Sequence, residues 1–288
     1  GVAGGYTMYK SDDDKYYICF IGGCCYMMML FSPLDLRHLI WAIARDSSGS
    51  SGSFLKSEEI IDGIKYYYKM SSYNSIDGFW GFESINEVIC KNIANALGYD
   101  CLQYELIQAL VVVDNKEYTT WLTRSASFKQ SGMKSLSFGA FYDLKHMENE
   151  DPITFLKRIG YGKYLYDMLT LDYLVCNRDR HSSNLEILFK NGNYNLAFLF
   201  DHGLSLMCSC RFKDDFEKFD ISKSGPVNNF IGSKDLIENL KYVPRSYLKE
   251  LSYPKDIFKG IDRDSAPDYY WENIQHMFDW RFEYVKNL

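Results

Sequence analysis

At 288 residues, with 47% hydrophobic and 24% charged side chains, the chain has the length of one bilobal domain or two small ones and an ordinary globular composition, able to bury enough apolar surface to offset chain entropy. A formal net charge of −6, without any long basic block, lacks the electrostatic footprint of a nucleic-acid binder, so no direct nucleic-acid partner is expected. The eight cysteines include no CxxC pair, which disfavours zinc and redox motifs and suits reduced thiols in a cytoplasmic protein.

Residues 1–30 read as a leader or an added remnant, set apart from the functional argument. The apolar stretch Tyr16–Leu30 is short for a bilayer span, contains Gly22 and Gly23, and follows an acidic SDDDK run rather than a basic one, so neither a membrane anchor nor a signal peptide is expected. From Phe31 to Ala44, the apolar residues Leu34, Leu36, Leu39, Ile40, Ile43 and Ala44 predict a short helix starting after Pro33. The following run Ser47, Ser48, Gly49, Ser50, Ser51, Gly52 and Ser53 has the composition of a flexible linker. Its position ahead of a strand suits a loop whose backbone N–H groups meet phosphate oxygens.

The segment FLKSEEIIDGIKYYYKM predicts a β-hairpin turning at Asp62 and Gly63, with Lys69 near its end. Ile85, Val88, Ile89, Ile93, Ala96 and Leu97 share one face of a helix over 83–97, stopped by Gly98. On that helix Glu83 and Glu87 lie four residues apart, so either can reach a lysine on a neighbouring strand. A second hairpin is predicted from Ile107–Val113 and Tyr118–Leu122 around residues 114–117. Helices then dominate: Phe138–Met147, Asp151–Ile159, Tyr164–Val175, Lys234–Leu240 and Pro267–Val285. The fold class is therefore α+β, with a small β-rich N-lobe over 31–128 and a larger, mainly helical C-lobe over 129–288.

The stretch from Leu169 to Leu206 carries the chemistry. An apolar helix leads into eight polar residues, Asn177–Asn184 (NRDRHSSN), then an apolar strand Leu185–Phe189, a turn at Asn191 and Gly192, a second strand Leu196–Phe200, and Asp201-His202-Gly203. Polar residues set between two apolar flanks need a use. Asp179 and Asn184 have the D-x-x-x-x-N spacing of a hydroxyl-accepting aspartate and a metal-binding asparagine, and Asp201 at a strand end suits the second metal-binding acid. Magnesium needs few protein oxygens, since waters and phosphates complete its shell. His181 reads as a support for Asp179.

These motifs, NRDRHSSN with FDHG downstream and YYYKM and ESINEVICKNIANALG upstream, resemble the bacterial HipA-like kinase family over roughly residues 45–240. The resemblance implies a bilobal fold like that of protein kinases and phosphatidylinositol kinases, and ATP- and Mg²⁺-dependent phosphorylation of Ser or Thr in a protein, in several members as the toxin of a toxin–antitoxin pair. It implies Asp179 as catalytic aspartate, Asn184 and Asp201 as metal ligands, and Lys69 as the phosphate-clamping lysine paired with Glu87, Glu83 being the alternative. It further implies Ser47–Ser53 as the phosphate-covering loop, with Ser50 or Ser51 as a site of regulatory autophosphorylation, Arg124–Phe128 as the hinge beside adenine, and an antitoxin-like protein partner. The sequence departs from the wider kinase pattern in having DHG in place of DFG and no G-x-G-x-x-G. The competing readings are a nucleotide-binding pseudokinase that docks a partner and a small-molecule or lipid kinase.

Overall fold

A computed structural model of the chain describes residues 6–10, 16–20, 33–43 and 54–288; the expected phosphate loop, Ser47–Ser53, and most of residues 1–30 lie outside them. Strands β1 (Tyr6–Lys10) and β2 (Tyr16–Phe20) pair antiparallel. Next come β3 (Leu34–Asp35) and β4 (Ala42–Ile43), where the sequence predicts a helix. The helical spacing there gives way to sheet edges. Leu34 and Asp35 pair parallel with Ala109 and Leu110, Ala42 pairs with Lys56, and Leu36 is buried while Leu34 is 41% and Ile40 87% exposed. An apolar face that finds no partner gives a helix little tertiary support.

The central sheet runs β3-β9-β10-β6-β5-β4, adding β5 (Leu55–Ile61), β6 (Ile64–Met70), β9 (Glu105–Val113) and β10 (Lys116–Ala126). Between β6 and β9 lie the small hairpin β7 (Tyr73–Asn74) and β8 (Gly78–Phe79) and helix α1 (Glu83–Ala96). The β5–β6 turn puts Asp62 at φ 51° and Gly63 at φ 79°, and the β9–β10 turn puts Asp114 and Asn115 at 51° and 60°. Two consecutive positive φ values give the turn whose twist matches the flanking strands. The second hairpin therefore turns on two residues rather than four, and Lys116 already pairs with Val113.

After β10 the chain forms β11 (Lys134–Ser137), then helices α2 (Phe138–Lys145), α3 (Pro152–Arg158) and α4 (Gly162–Val175). There follow β12 (Asp179–Arg180), β13 (Glu186–Lys190), β14 (Asn193–Leu196), α5 (Lys213–Lys218), β15 (Asn228–Asn229), α6 (Leu236–Asn239), α7 (Arg245–Glu250) and α8 (Asp268–Lys286). Here too the strand differs from expectation: β14 ends at Leu196. The tight turn at Asn191 and Gly192 lets pairing begin at Asn193, and Leu199 then leaves the hairpin to bond Asp100 and Leu102.

Apolar side chains form two clusters. The smaller lies in the sheet around Tyr68, Met70, Ala109, Val111 and Leu122. The larger gathers α4 and α8, including the expected face Trp271, Ile274, Phe278, Phe282 and Val285, and also Ile85, Val88, Ile89 and Ile93 of α1. Helix α1 thus joins the sheet to the helical part. Ser84 Oγ bonds the Lys69 carbonyl at 3.3 Å, while Asn86 bonds the carbonyls of Gly203 and Ser205 and accepts from Tyr270 Oη at 2.6 Å. Cys90, Cys101, Cys176, Cys208 and Cys210 are free thiols. No helix among the described residues is long and apolar enough to cross a membrane.

Candidate active site

The loop after α4 is set by its buried polar groups. The helix ends with Cys176 in the left-handed region at φ 50°. Asn177, fully buried, then donates to Asp172 Oδ1 at 2.9 Å and accepts the Asp179 N–H at 3.1 Å. Two short parallel strands, β12 and β15, bring Asn228 beside Asp179, whose Oδ1 accepts from Asn228 Nδ2 at 2.6 Å. His181 Nε2 lies 3.8 Å from the other oxygen, Oδ2, and His181 Nδ1 accepts the Ser183 N–H at 3.1 Å, capping the short 3-10 turn Ser182–Asn184. The ring thereby holds the start of this turn.

Asn184 donates its amide nitrogen to the Asp179 carbonyl at 2.7 Å. That bond fixes the amide plane and leaves the amide oxygen as the end able to meet a cation. Burial raises the Asp179 carboxyl above its ordinary value, with the Asp201 carboxylate adding to the rise and His181 and Asn228 opposing it. The loop and the Asp201 turn also meet geometrically, because Arg180 Nη1 donates to the carbonyls of both Asn184 and Phe200.

Asp201 sits at φ 59°, its N–H donating to Tyr104 Oη at 3.1 Å. Its Oδ1 lies 2.5 Å from Lys69 Nζ, and Glu87 Oε2 lies 3.9 Å from the same ammonium. Lys69 is only 17% exposed and so is no solvated strand-end lysine. Burial disfavours both charges of this pair, but their mutual attraction outweighs it, holding Asp201 low and Lys69 high. Burial raises Glu87, whose Oε1 accepts the His202 N–H at 3.0 Å while Oε2 has no hydrogen bond among the described residues. Glu83 serves elsewhere, accepting from the N–H and hydroxyl of Ser72. Between the two candidates, Glu87 is the one brought to Lys69.

Lys69 and Asp201 border a cavity of about 250 Å³, lined also by Leu102, Tyr104, Phe128 and Phe200, among others. Of the expected hinge, Ser125, Ser127 and Phe128 face it, whereas Arg124 turns away to pair with Glu105 at 2.7 Å. Lys56 also lines it, directly opposite Lys69 on the neighbouring strand, and its charge helps hold Asp201 low. Like charges facing across a ladder repel, and an anion between them relieves the repulsion. Lys56 went unsingled in the sequence; the only signal was its place just after the Ser/Gly run and across from Lys69.

Arg180, like Asn228 and Asp172, is a further residue that the sequence does not single out. Its side chain is 1% exposed and forks onto Asp172 at 2.7 and 3.0 Å. It also donates to the carbonyls of Asn184 and Phe200, both at 3.1 Å, and its Nη2 lies 2.8 Å from His202 Nε2. Burial and the neighbouring guanidinium push His202 down to about 3, so its ring is neutral and Nε2 accepts. One guanidinium thereby fastens α4, the 179–184 loop and the Asp201-His202-Gly203 turn.

The site fits a nucleotide and a magnesium ion: two opposed lysines for phosphate, and a fixed amide oxygen and a carboxylate for the cation. No group of three or more His, Cys, Asp or Glu among the described residues forms a metal cage, and magnesium bound with phosphates needs none.

The architecture, a β-rich N-terminal region followed by a helical part with this site between them, is that of a kinase-like fold. Among solved structures, the chain is similar to the Helicobacter pylori proinflammatory kinase CtkA, with TM-score 0.52 and 15% identity, covering 89% of this chain and 97% of that one. It also matches the Shewanella oneidensis MR-1 HipA of a toxin–antitoxin complex with HipB and operator DNA, at TM-score 0.42 and 13% identity, covering 95% and 78%. No protein-family model and no curated protein sequence matches.

Replacing Asp172 by Ala leaves Arg180 as an unpaired buried charge, and we expect a loss of about 3–5 kcal/mol in stability. Urea denaturation measures it; a loss below about 1 kcal/mol would contradict the role given to the pair.

Proposed function

We propose that the chain is an ATP- and Mg²⁺-dependent phosphotransferase acting on Ser or Thr hydroxyls of a protein. The observation that carries this reading is the Lys69 ammonium held between Asp201 and Glu87 beside a cavity, with the Asp179–Asn184 loop tied through Arg180 to the chain next to Asp201. We divide the chain near residue 128, with the phosphate-binding lysines before it and the catalytic loop after it.

Bound Mg-ATP supplies the phosphoryl group and the cation that neutralises its charge. Lys69 and Lys56 would hold phosphate oxygens, and Asn184 Oδ1 and an Asp201 oxygen would hold the metal. Glu87 Oε2, 3.9 Å from Lys69 Nζ, is the second carboxylate oxygen that would steady the lysine. Phe128, Phe200 and Leu102 shape the slot for the base. Asp179 Oδ2 orients the substrate hydroxyl and takes its proton, with Oδ1 kept in place by Asn228. The Ser47–Ser53 run covers the phosphates and offers Ser50 or Ser51 for autophosphorylation, by the sequence resemblance alone. An antitoxin-like partner is an expectation of the same resemblance.

Substituting Asp179 or Asp201 by Ala should lower phosphate transfer from [γ-³²P]ATP by about 10²–10⁴-fold, with each variant still folded by circular dichroism. Unchanged labelling in both would overturn the assignment. A pseudokinase would instead gain thermal stability from Mg-ATP without turnover.

The raised Asp179 carboxyl sets the acid limb of kcat/KM above the pH where an ordinary aspartate titrates, about 3.9. The Asn228 hydrogen bond favours the charged form, so its removal raises that carboxyl further. Asn228→Ala should therefore shift the acid limb to higher pH, and a shift to lower pH would contradict the role.

A further inference from the structure

A second polar cavity, of about 340 Å³, lies behind the catalytic loop. Arg178, Lys218 and Lys223 line it with one carboxylate, Asp220, so its lining carries an excess of positive charge. All three residues are exposed. Among the described residues no carboxylate forms an ion pair with Arg178 or Lys223, and Lys218 has only a solvent-screened contact with Asp214 at 3.9 Å. Asp220 spends Oδ1 on the N–H and hydroxyl of Ser222, at 3.0 and 2.6 Å.

The backbones bearing two of these cations are anchored. Arg178 donates its N–H to the Leu204 carbonyl and accepts from the Asn228 N–H, both at 2.9 Å. The Lys223 carbonyl accepts from Arg281 Nη2 at 2.7 Å and from Cys176 Sγ at 3.7 Å, and Arg281 is itself fully buried. A concentration of cations on a fixed frame, without matching carboxylates, attracts an anion, and guanidinium and ammonium groups together suit a phosphoryl group. The hydroxyl of Ser209 lies in the same lining and is exposed. Arg178 and Ser209 thus line one cavity from the catalytic loop and from the segment after the Asp201 turn.

Position gives the cavity a consequence. Arg178 immediately precedes Asp179, and Val227 in the lining immediately precedes Asn228, which holds the Asp179 carboxylate. We propose that this cavity is a phosphoryl-binding site, filled by a phosphoester on Ser209 or by a free phosphate-bearing ligand. Its occupancy ties residues 209–227 to the catalytic loop and steadies Asn228 against Asp179. Three charge-assisted contacts to one dianion form there, which is how a phosphate orders a segment opposite a cationic cluster. The binding itself is independent of the phosphotransfer reading.

Two arms test this and separate the sources: the full chain titrated with inorganic phosphate at ionic strength matched by chloride, and the full chain carrying genetically encoded phosphoserine at position 209. In at least one arm the melting temperature should rise by about 3–8 °C. Arg178→Gln combined with Lys223→Gln should abolish the rise, while Lys69→Met, compared with its own baseline, should keep it. A rise only with inorganic phosphate assigns a diffusible ligand, and a rise only with phosphoserine assigns the covalent one. No rise in either arm, or a rise that survives the Arg178 and Lys223 substitutions, overturns the proposal. Circular dichroism of the double variant confirms that loss of the rise is not loss of fold, since both side chains are exposed and outside the core.

Discussion

A single buried guanidinium sets the geometry on which the site depends. Taking Arg180 out of water costs several kcal/mol, and the structure offsets this with the Asp172 fork, two backbone carbonyls and the neutral His202 ring. Each partner belongs to a different part of the site: Asp172 to α4, Asn184 to the end of the catalytic loop, Phe200 and His202 to the chain on either side of Asp201. A charge that cannot be left unpaired in the interior forces these pieces into one register. His202 suits its place in the DHG turn because its Nε2 accepts, which a phenylalanine at that position could not do. Its Nδ1 is left buried and without a hydrogen bond among the described residues.

The second constraint runs through α1. Its apolar face packs into the larger cluster while Glu87 reaches the His202 N–H and Lys69, and Asn86 bonds the carbonyls of Gly203 and Ser205. Strand β6 therefore meets the Asp201 turn through this helix as well as directly through Lys69. The short Lys69–Asp201 contact and the longer Lys69–Glu87 contact make the lysine a shared partner of two acids, with its balance open to whatever engages Asp201.

Much of this was legible in sequence where a local rule and a tertiary requirement coincide. The turns at Asp62-Gly63 and Asn191-Gly192 and helix α1 obey rules of backbone and periodicity that tertiary packing here leaves untouched. The polar block 177–184 stood out because its flanks are apolar, and the structure does bring Asp179, Asn184 and Asp201 to one region. Arg180 lay within that block, yet its sequence neighbours say nothing of Asp172 or His202, which only the packing of α4 against the turn supplies. Lys56 depended on cross-strand register with Lys69, invisible without the pairing. Residues 33–43 show the converse case: a helical apolar pattern loses to edge pairing with Ala109 and Leu110, which buries Leu36 in the sheet cluster and leaves Leu34 and Ile40 exposed.

The most direct test of the account is single-turnover phosphate transfer from Mg-ATP by Arg180→Lys beside the wild type. Lysine keeps the buried charge but lacks the planar fork, so the loop and the Asp201 turn lose their common clamp. The account predicts transfer by the wild type and a rate about 10²-fold lower in the variant, with ATP affinity retained. Equal rates in the two proteins, or no transfer by the folded wild type to itself or to any protein offered, would contradict it.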